Sequence, residues 1–224
     1  MYNISVPVEN ANLNPENRIK TLKELKKIGA KRIFINVCYY FSDDKRKKVF
    51  YSLKDNVKFF KENGFEVGSW MPSTVVNGSD DFQYKQDVNG KEYRPWICPA
   101  DARLIKIAKI YAEEIAKTGV DLIMYDDDFH YSYYDLGSNG LRGCACGCHK
   151  MLMKKMYPDI DFEEVIKKAS EDEYNKYREI WENVNAEALK NYAREVRASV
   201  DSINPNIRMG FATNYTNWGI ECVN

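Results

Sequence analysis

Two stretches of the sequence concentrate side chains able to do chemistry. The first is Asp126-Asp127-Asp128, followed at once by Phe129 and His130. Three adjacent carboxylates repel one another when all are ionised, so such a run at the end of an apolar segment needs partners, a metal or a use. Side chains alternate along a strand, which gives Asp126 and Asp128 one direction and Asp127 the other. Asp126, Asp128 and then Asp127 are the candidate catalytic carboxylates. The competing reading spends one on the following turn and another on a Lys or Arg, and a third reading has the run hold Mg²⁺ or Mn²⁺. The second stretch is Cys144-Ala145-Cys146-Gly147-Cys148-His149. Three thiols and an imidazole are zinc ligand types, and thiolates close a site rather than leave it open for catalysis. Cys144, Cys146 and His149 can face one ion, with Cys148, Cys222 or His130 as the fourth ligand. The cofactor expected is a structural zinc; free thiols at a helix start are the alternative.

The elements that must position these groups follow a repeated phrase. A charged amphipathic helix ends in Gly29, Gly64 or Gly119, and an apolar strand follows within two or three residues. Glycine supplies the left-handed residue that closes a helix, and Lys in the last turn suits the helix dipole. Strands are expected at about 2–8, 33–37, 65–70, 120–125 and 207–213. Asn14 with Pro15 starts the first helix and Asp101 opens or caps another. Helices are also expected near 150–157, 162–169 and 173–202. The strands are apolar runs rather than alternations, as when both faces of a sheet are covered. Strand–helix alternation implies an α/β fold with a parallel sheet and right-handed crossovers. No Gly-rich phosphate turn follows the first strand. The expected architecture is therefore an incomplete TIM-barrel-like fold of about five strand–helix units. It forms a single domain over 1–224 that is the N-terminal part of a longer barrel.

Sites in such folds lie at the carboxyl ends of the strands. Those ends deliver Glu9, Asn36, Tyr39, Trp70 and Asn214, and His130 follows the acidic run. Trp96 lies in the Arg94–Asp101 segment before a helix, which reads as a pocket wall or a stiff turn. Carboxylates, amides and aromatic rings are what a sugar site uses, so these seven are the candidate substrate-binding residues. Cys38, with no motif around it, reads as a packed thiol.

Composition sets bounds on function. The 33 basic and 33 acidic side chains cancel, so nothing in the balance asks for nucleic acid. No apolar run approaches the roughly 18 residues of a membrane span. Residues 1–8 lack the basic-then-apolar layout of a signal peptide, so the expected location is cytoplasmic. Six cysteines, three within five residues, do not make a disulfide scaffold in a chain of 224.

The order of units, the Trp96-Ile97-Cys98-Pro99-Ala100-Asp101 approach to a helix, the strand running from Gly119 into Asp126-Asp127-Asp128-Phe129, and Cys144-x-Cys146-x-x-His149 together resemble the front of (β/α)8 glycoside hydrolases. The likeness is to bacterial β-galactosidase-type enzymes and their relatives, over roughly 1–218. It implies a carbohydrate ligand, O-glycosyl hydrolysis by two carboxylates, one at the end of the fourth strand, and a Cys-rich, sometimes zinc-binding, loop after it. This sequence has three Asp where that family has an Asn-Glu pair. The partner carboxylate belongs to a later strand, so the isolated chain is expected to be weakly active or inactive. The remainder of the barrel or a second copy of the chain is the expected protein partner. A non-catalytic, zinc-stabilised carbohydrate-binding or scaffold module is the alternative.

Overall fold

The computed structural model describes residues 4–40, 42–76, 81–131, 141–172 and 174–212. Two compact units can be drawn in it, one from 1–73, 109–126 and 197–212, the other from 74–108 and 127–196.

The first unit holds a parallel sheet. Its strands are β1 (Ser5–Glu9), β2 (Arg32–Asn36), β3 (Glu66–Met71), β6 (Leu122–Tyr125) and β7 (Arg208–Phe211), in that spatial order. Every pairing is parallel and the order never reverses, which is how a (β/α) barrel wall grows; a doubly wound sheet would switch direction. Among the described residues β1 and β7 remain the two ends of this sheet. Helices α1 (Pro15–Lys27) and α2 (Asp43–Glu62) make the first two crossovers. Asn14 caps α1, its side chain accepting the Asn17 N–H at 2.8 Å, with Pro15 at the first helical position. Gly29, Gly64 and Gly119 have φ of 71°, 86° and 85°. No atom lies within 4 Å of a Cβ built at any of them, so backbone conformation, not space, requires glycine at these three joints.

Alternation then sorts the sheet's two faces. Ile33, Ile35, Val67, Ser69, Met71, Ile123 and Tyr125 share one parity and are fully buried. On the other parity Asn36, Trp70 and Met124 are half-buried, and the Phe34 ring lies against Gly68, where an added Cβ would sit 2.6 Å from it. At the amino ends of the strands, charge is spent on structure. Glu66 pairs with Arg32 at 2.5 Å and with Arg208, and Asp121 pairs with Lys61 at 2.7 Å while accepting the Val67 N–H.

The second unit contains an antiparallel hairpin absent from the sequence-based expectation, β4 (Tyr84–Gln86) and β5 (Glu92–Ile97). Asp87 makes its turn by accepting the Asn89 and Lys91 N–H groups, both at 2.9 Å. Helices α4 (Gly147–Met156) and α5 (Phe162–Glu171) enclose, with the front of α6 (Lys176–Ile203), a core of Leu141, Met153, Phe162, Val165, Trp181 and Val184. α4 begins three residues earlier than expected, with Cys146 at its N-cap position. α3 (Ala102–Lys117) opens under Asp101, as its sequence indicates.

Candidate functional site

Within the second unit, Cys98, Cys144, Cys146 and His149 bring one donor atom each to within 4.8 Å of all the others. Cys98 follows β5 directly, Cys144 precedes α4, Cys146 is at its N-cap position and His149 is in its first turn. His149 Nδ1 lies 3.2 Å from Cys98 Sγ and 3.7 Å from Cys146 Sγ. A tetrahedral ion with bonds of about 2.0–2.3 Å holds its ligands about 3.3–3.8 Å apart, so these separations suit one four-coordinate ion. The sequence-derived set Cys144, Cys146, Cys148 and His149 is therefore corrected at one position. Cys98 takes the place of Cys148, because two neighbouring residues of one helical turn, Cys148 and His149, point differently. His130 is also outside this group, and Cys222 lies outside the described residues.

The surroundings are built for thiolates. The Gln86 N–H points at Cys144 Sγ at 3.4 Å and the Ala100 N–H at Cys98 Sγ at 3.3 Å. Gln86 O also accepts the Ala145 N–H at 2.7 Å, which clips the hairpin to the cysteine loop. His149 Nε2 is 2.8 Å from Tyr131 Oη, the outer hydrogen bond that fixes a metal-ligating imidazole. Burial opposes charge on His149, but the Cys144 and Cys146 thiolates outweigh it and push the imidazole up to about 10. Burial likewise opposes the Cys144 thiolate; hydrogen bonds from Cys146 and Cys98 and the His149 charge hold it well below the ordinary thiol value. Preceding the loop, Gly143 has a φ of 144° and meets the Trp181 ring where a Cβ would stand. Asn185 Oδ1 then accepts the Cys144 N–H at 2.7 Å.

The acidic run divides by role. Asp128 is buried, and its Oδ2 accepts the Thr74 N–H at 2.6 Å, the Val75 N–H at 2.7 Å and the Thr74 hydroxyl at 3.3 Å. Oδ2 of that carboxylate is committed to holding the 74–75 loop. The three Asp do not converge as a cation site: among the described residues the Cys/His group is the only metal-competent cluster. Lys85, fully buried, donates to Thr74 Oγ1 at 3.0 Å, Asp128 O at 3.3 Å and His130 O at 2.7 Å. Burial first, and the Lys85 ammonium second, draw His130 down to about 4, so it is neutral at physiological pH. Asp127 is exposed. Asp126, half-buried, continues β6 on the parity of Met124, its backbone N–H held by Met71 O at 2.9 Å.

The first unit assembles the remaining candidates in a row. Parallel register places Glu9 opposite Asn36, Asn36 opposite Trp70 and Trp70 opposite Met124. Paired residues of parallel strands share a face, so Glu9, Asn36 and Trp70 stand together at the carboxyl ends, with Asp126 immediately after β6. Trp70 Nε1 is buried and has no hydrogen-bond partner among the described residues. Cys38 is exposed beside them rather than packed, and donates to Asn36 Oδ1 at 3.4 Å. Desolvation and the Glu9 carboxylate raise its thiol, which disfavours a nucleophile there. Tyr39 turns away: it is buried, bonds Ser73 O and packs on Tyr111 at 4.9 Å, a core role. Trp96 lies inside β5 and bridges Val75, so it is a hairpin residue rather than a helix-approach wall. Asn214 lies outside the described residues.

No protein-family profile matches the chain, and no curated protein matches it in sequence. Solved structures match it in fold. A β-galactosidase from Marinomonas ef1 superposes with a TM-score of 0.61 at 9% identity, over 94% of this chain and 37% of that one. The catalytic domain of a β-amylase from Paenibacillus polymyxa gives 0.59 at 14%, over 92% and 65%. A GH20 exo-β-N-acetylglucosaminidase from Vibrio harveyi gives 0.54 at 10%, over 93% and 35%. All are glycoside hydrolases by name, and this chain spans less than two thirds of each. What the chain shares with them is the fold, a parallel (β/α) barrel-like arrangement.

Proposed function

We propose that this chain binds carbohydrate at the carboxyl ends of its parallel strands, with Asp126 as the carboxylate that acts on the sugar and a zinc ion holding the cysteine loop. The observation that carries the reading is the register row of Glu9, Asn36 and Trp70, with Asp126 immediately after β6. It offers what a sugar needs: a half-buried aromatic ring, an amide for hydroxyls, and carboxylates at two strand ends. Asp126 protonates a leaving oxygen or accepts a hydroxyl proton, and Glu9 is the second carboxylate of the row. Cys98, Cys144, Cys146 and His149 would hold zinc. Its chemistry there is structural, because three thiolates and an imidazole fill a tetrahedral ion and leave no position for substrate.

A panel of aryl-glycosides and oligosaccharides, followed for hydrolysis and by calorimetry, tests this. Binding that weakens about tenfold or more in Trp70→Ala supports it. Neither hydrolysis nor binding across the panel removes it. The Asp128 clamp favours one second reading, a zinc-stabilised module that binds carbohydrate without cleaving it; saturable binding with no turnover selects that outcome.

A further inference from the structure

Cys98, Cys144, Cys146 and His149 are all completely enclosed, with no exposed surface. Together they fill a four-coordinate ion, yet an ion arriving from solvent meets none of them first. A fifth donor stands beside them. Cys148 is half-buried, and unlike the four it reaches the surface. It lies in the first turn of α4 between two of the four ligands, so no backbone rearrangement separates it from the site. The resting geometry does not use it, because its sulfur lies outside the set that converges.

We propose that Cys148 is the ligand through which a thiophilic divalent ion enters and leaves the buried site, bound in passage and not at rest. The inference rests on the metal reading given above. The incoming ion forms a bond to Cys148 Sγ, and the thiol proton leaves to solvent. Cys98 and Cys146 replace two of the ion's waters, each as a thiolate whose proton, where it holds one, goes to solvent. Cys144, as its thiolate, and the Nδ1 of His149, once the imidazolium has given one proton to solvent, then complete the set; the bond to Cys148 breaks, and its sulfur takes a proton back from solvent. Release runs through the same steps in reverse. A group bound in neither the empty nor the filled state cannot alter the equilibrium between them. It changes both rates by one factor.

The test uses the full chain and its Cys148→Ala and Cys148→Ser variants. Uptake of Co²⁺ is followed in stopped flow by the thiolate-to-cobalt absorption. Loss of Zn²⁺ is followed by transfer to an excess of a chromogenic chelator. Expected are uptake and loss both slowed by about tenfold or more in either variant, with the dissociation constant kept within about twofold. Unchanged rates overturn the proposal. So does a weakened constant with faster loss, which would make Cys148 a resting ligand. A wild-type chain that binds neither ion defeats the metal reading itself, and this inference with it. Should the Ala variant fail to fold by circular dichroism, the near-isosteric Ser variant decides.

Discussion

His149 has two ring nitrogens and both are committed. Nδ1 faces the cysteine sulfurs and Nε2 faces Tyr131 Oη, so a metal on Nδ1 leaves the proton on Nε2, donated to the phenol. Cys98 completes the same centre from 51 residues away along the chain. Cys98→Ser should therefore reduce bound zinc from about one per chain toward none, measured by elemental analysis after gel filtration. Full retention in this variant would refute the assigned set. Asp101 poses a separate question of charge. Burial works against its ionisation, but hydrogen bonds from the Arg103 guanidinium and from the Gln83 and Arg103 N–H groups hold its carboxyl below the ordinary value. The unfolded chain then binds the proton more readily, so this contribution is present above the unfolded value of 3.8 and is lost as pH falls through the lower folded value. Asp101→Asn should lower the urea midpoint at pH 7, with the gap to wild type closing on acidification. A gap that stays constant down to pH 3 would show that the carboxylate charge is not what Asp101 contributes. The sequence displays Cys144, Cys146 and His149 as a motif because they are near neighbours. It conceals Cys98, since proximity created by a hairpin leaves no spacing to read, and only the adjoining Pro99 hints at a fixed position.

At the scale of elements, the hairpin β4–β5 is what joins the cysteine loop to the acidic segment. Gln86 clips to both Cys144 and Ala145, while its neighbour Lys85 grips the Asp128 and His130 carbonyls. The helix–glycine–strand grammar of the first unit was readable because helix caps and apolar runs are local. The hairpin was not: β5, running through Glu92-Tyr93-Arg94-Pro95-Trp96, has no clean apolar alternation, and its pairing is decided by Asp87 in the turn. The same limit applied to the acidic run. Strand alternation gave Asp126 and Asp128 one direction, but β6 ends at Tyr125, and beyond it the chain turns so that Asp128 meets the Thr74 and Val75 amides. Asp128→Asn sets an amide N–H or a weaker acceptor against two backbone donors, and should cost about 1–3 kcal/mol in urea denaturation. Asp126→Asn should cost about 0.5 kcal/mol or less while weakening hydrolysis or sugar binding. The reverse ranking of the two stability losses would exchange their roles.

For the molecule as a whole, the proposed metal site concerns one of two compact units. A two-stranded hairpin is marginal by itself in water, and the second unit adds to it three helices around one small core. An ion bound by Cys98 after β5 and by His149 in α4 closes a loop of 51 residues. By chain-entropy arithmetic such a cross-link is worth about 4 kcal/mol. Zinc held at a thousand times its dissociation constant contributes a similar amount, about 4 kcal/mol, by mass action. These describe one stabilisation in two ways and do not add. The first unit owes nothing to either: its sheet has continuous parallel pairing, helix caps and ion pairs at the amino ends of its strands. Chelation should therefore act unevenly. Hydrogen exchange after zinc removal should lose protection in β4, β5 and α4, where the hairpin and helix are no longer tied through the ion, while β2 and β3 keep theirs. An equal loss across both sets of amides would show that the chain unfolds as one cooperative body, and that the ion supports the parallel sheet as much as the loop that binds it.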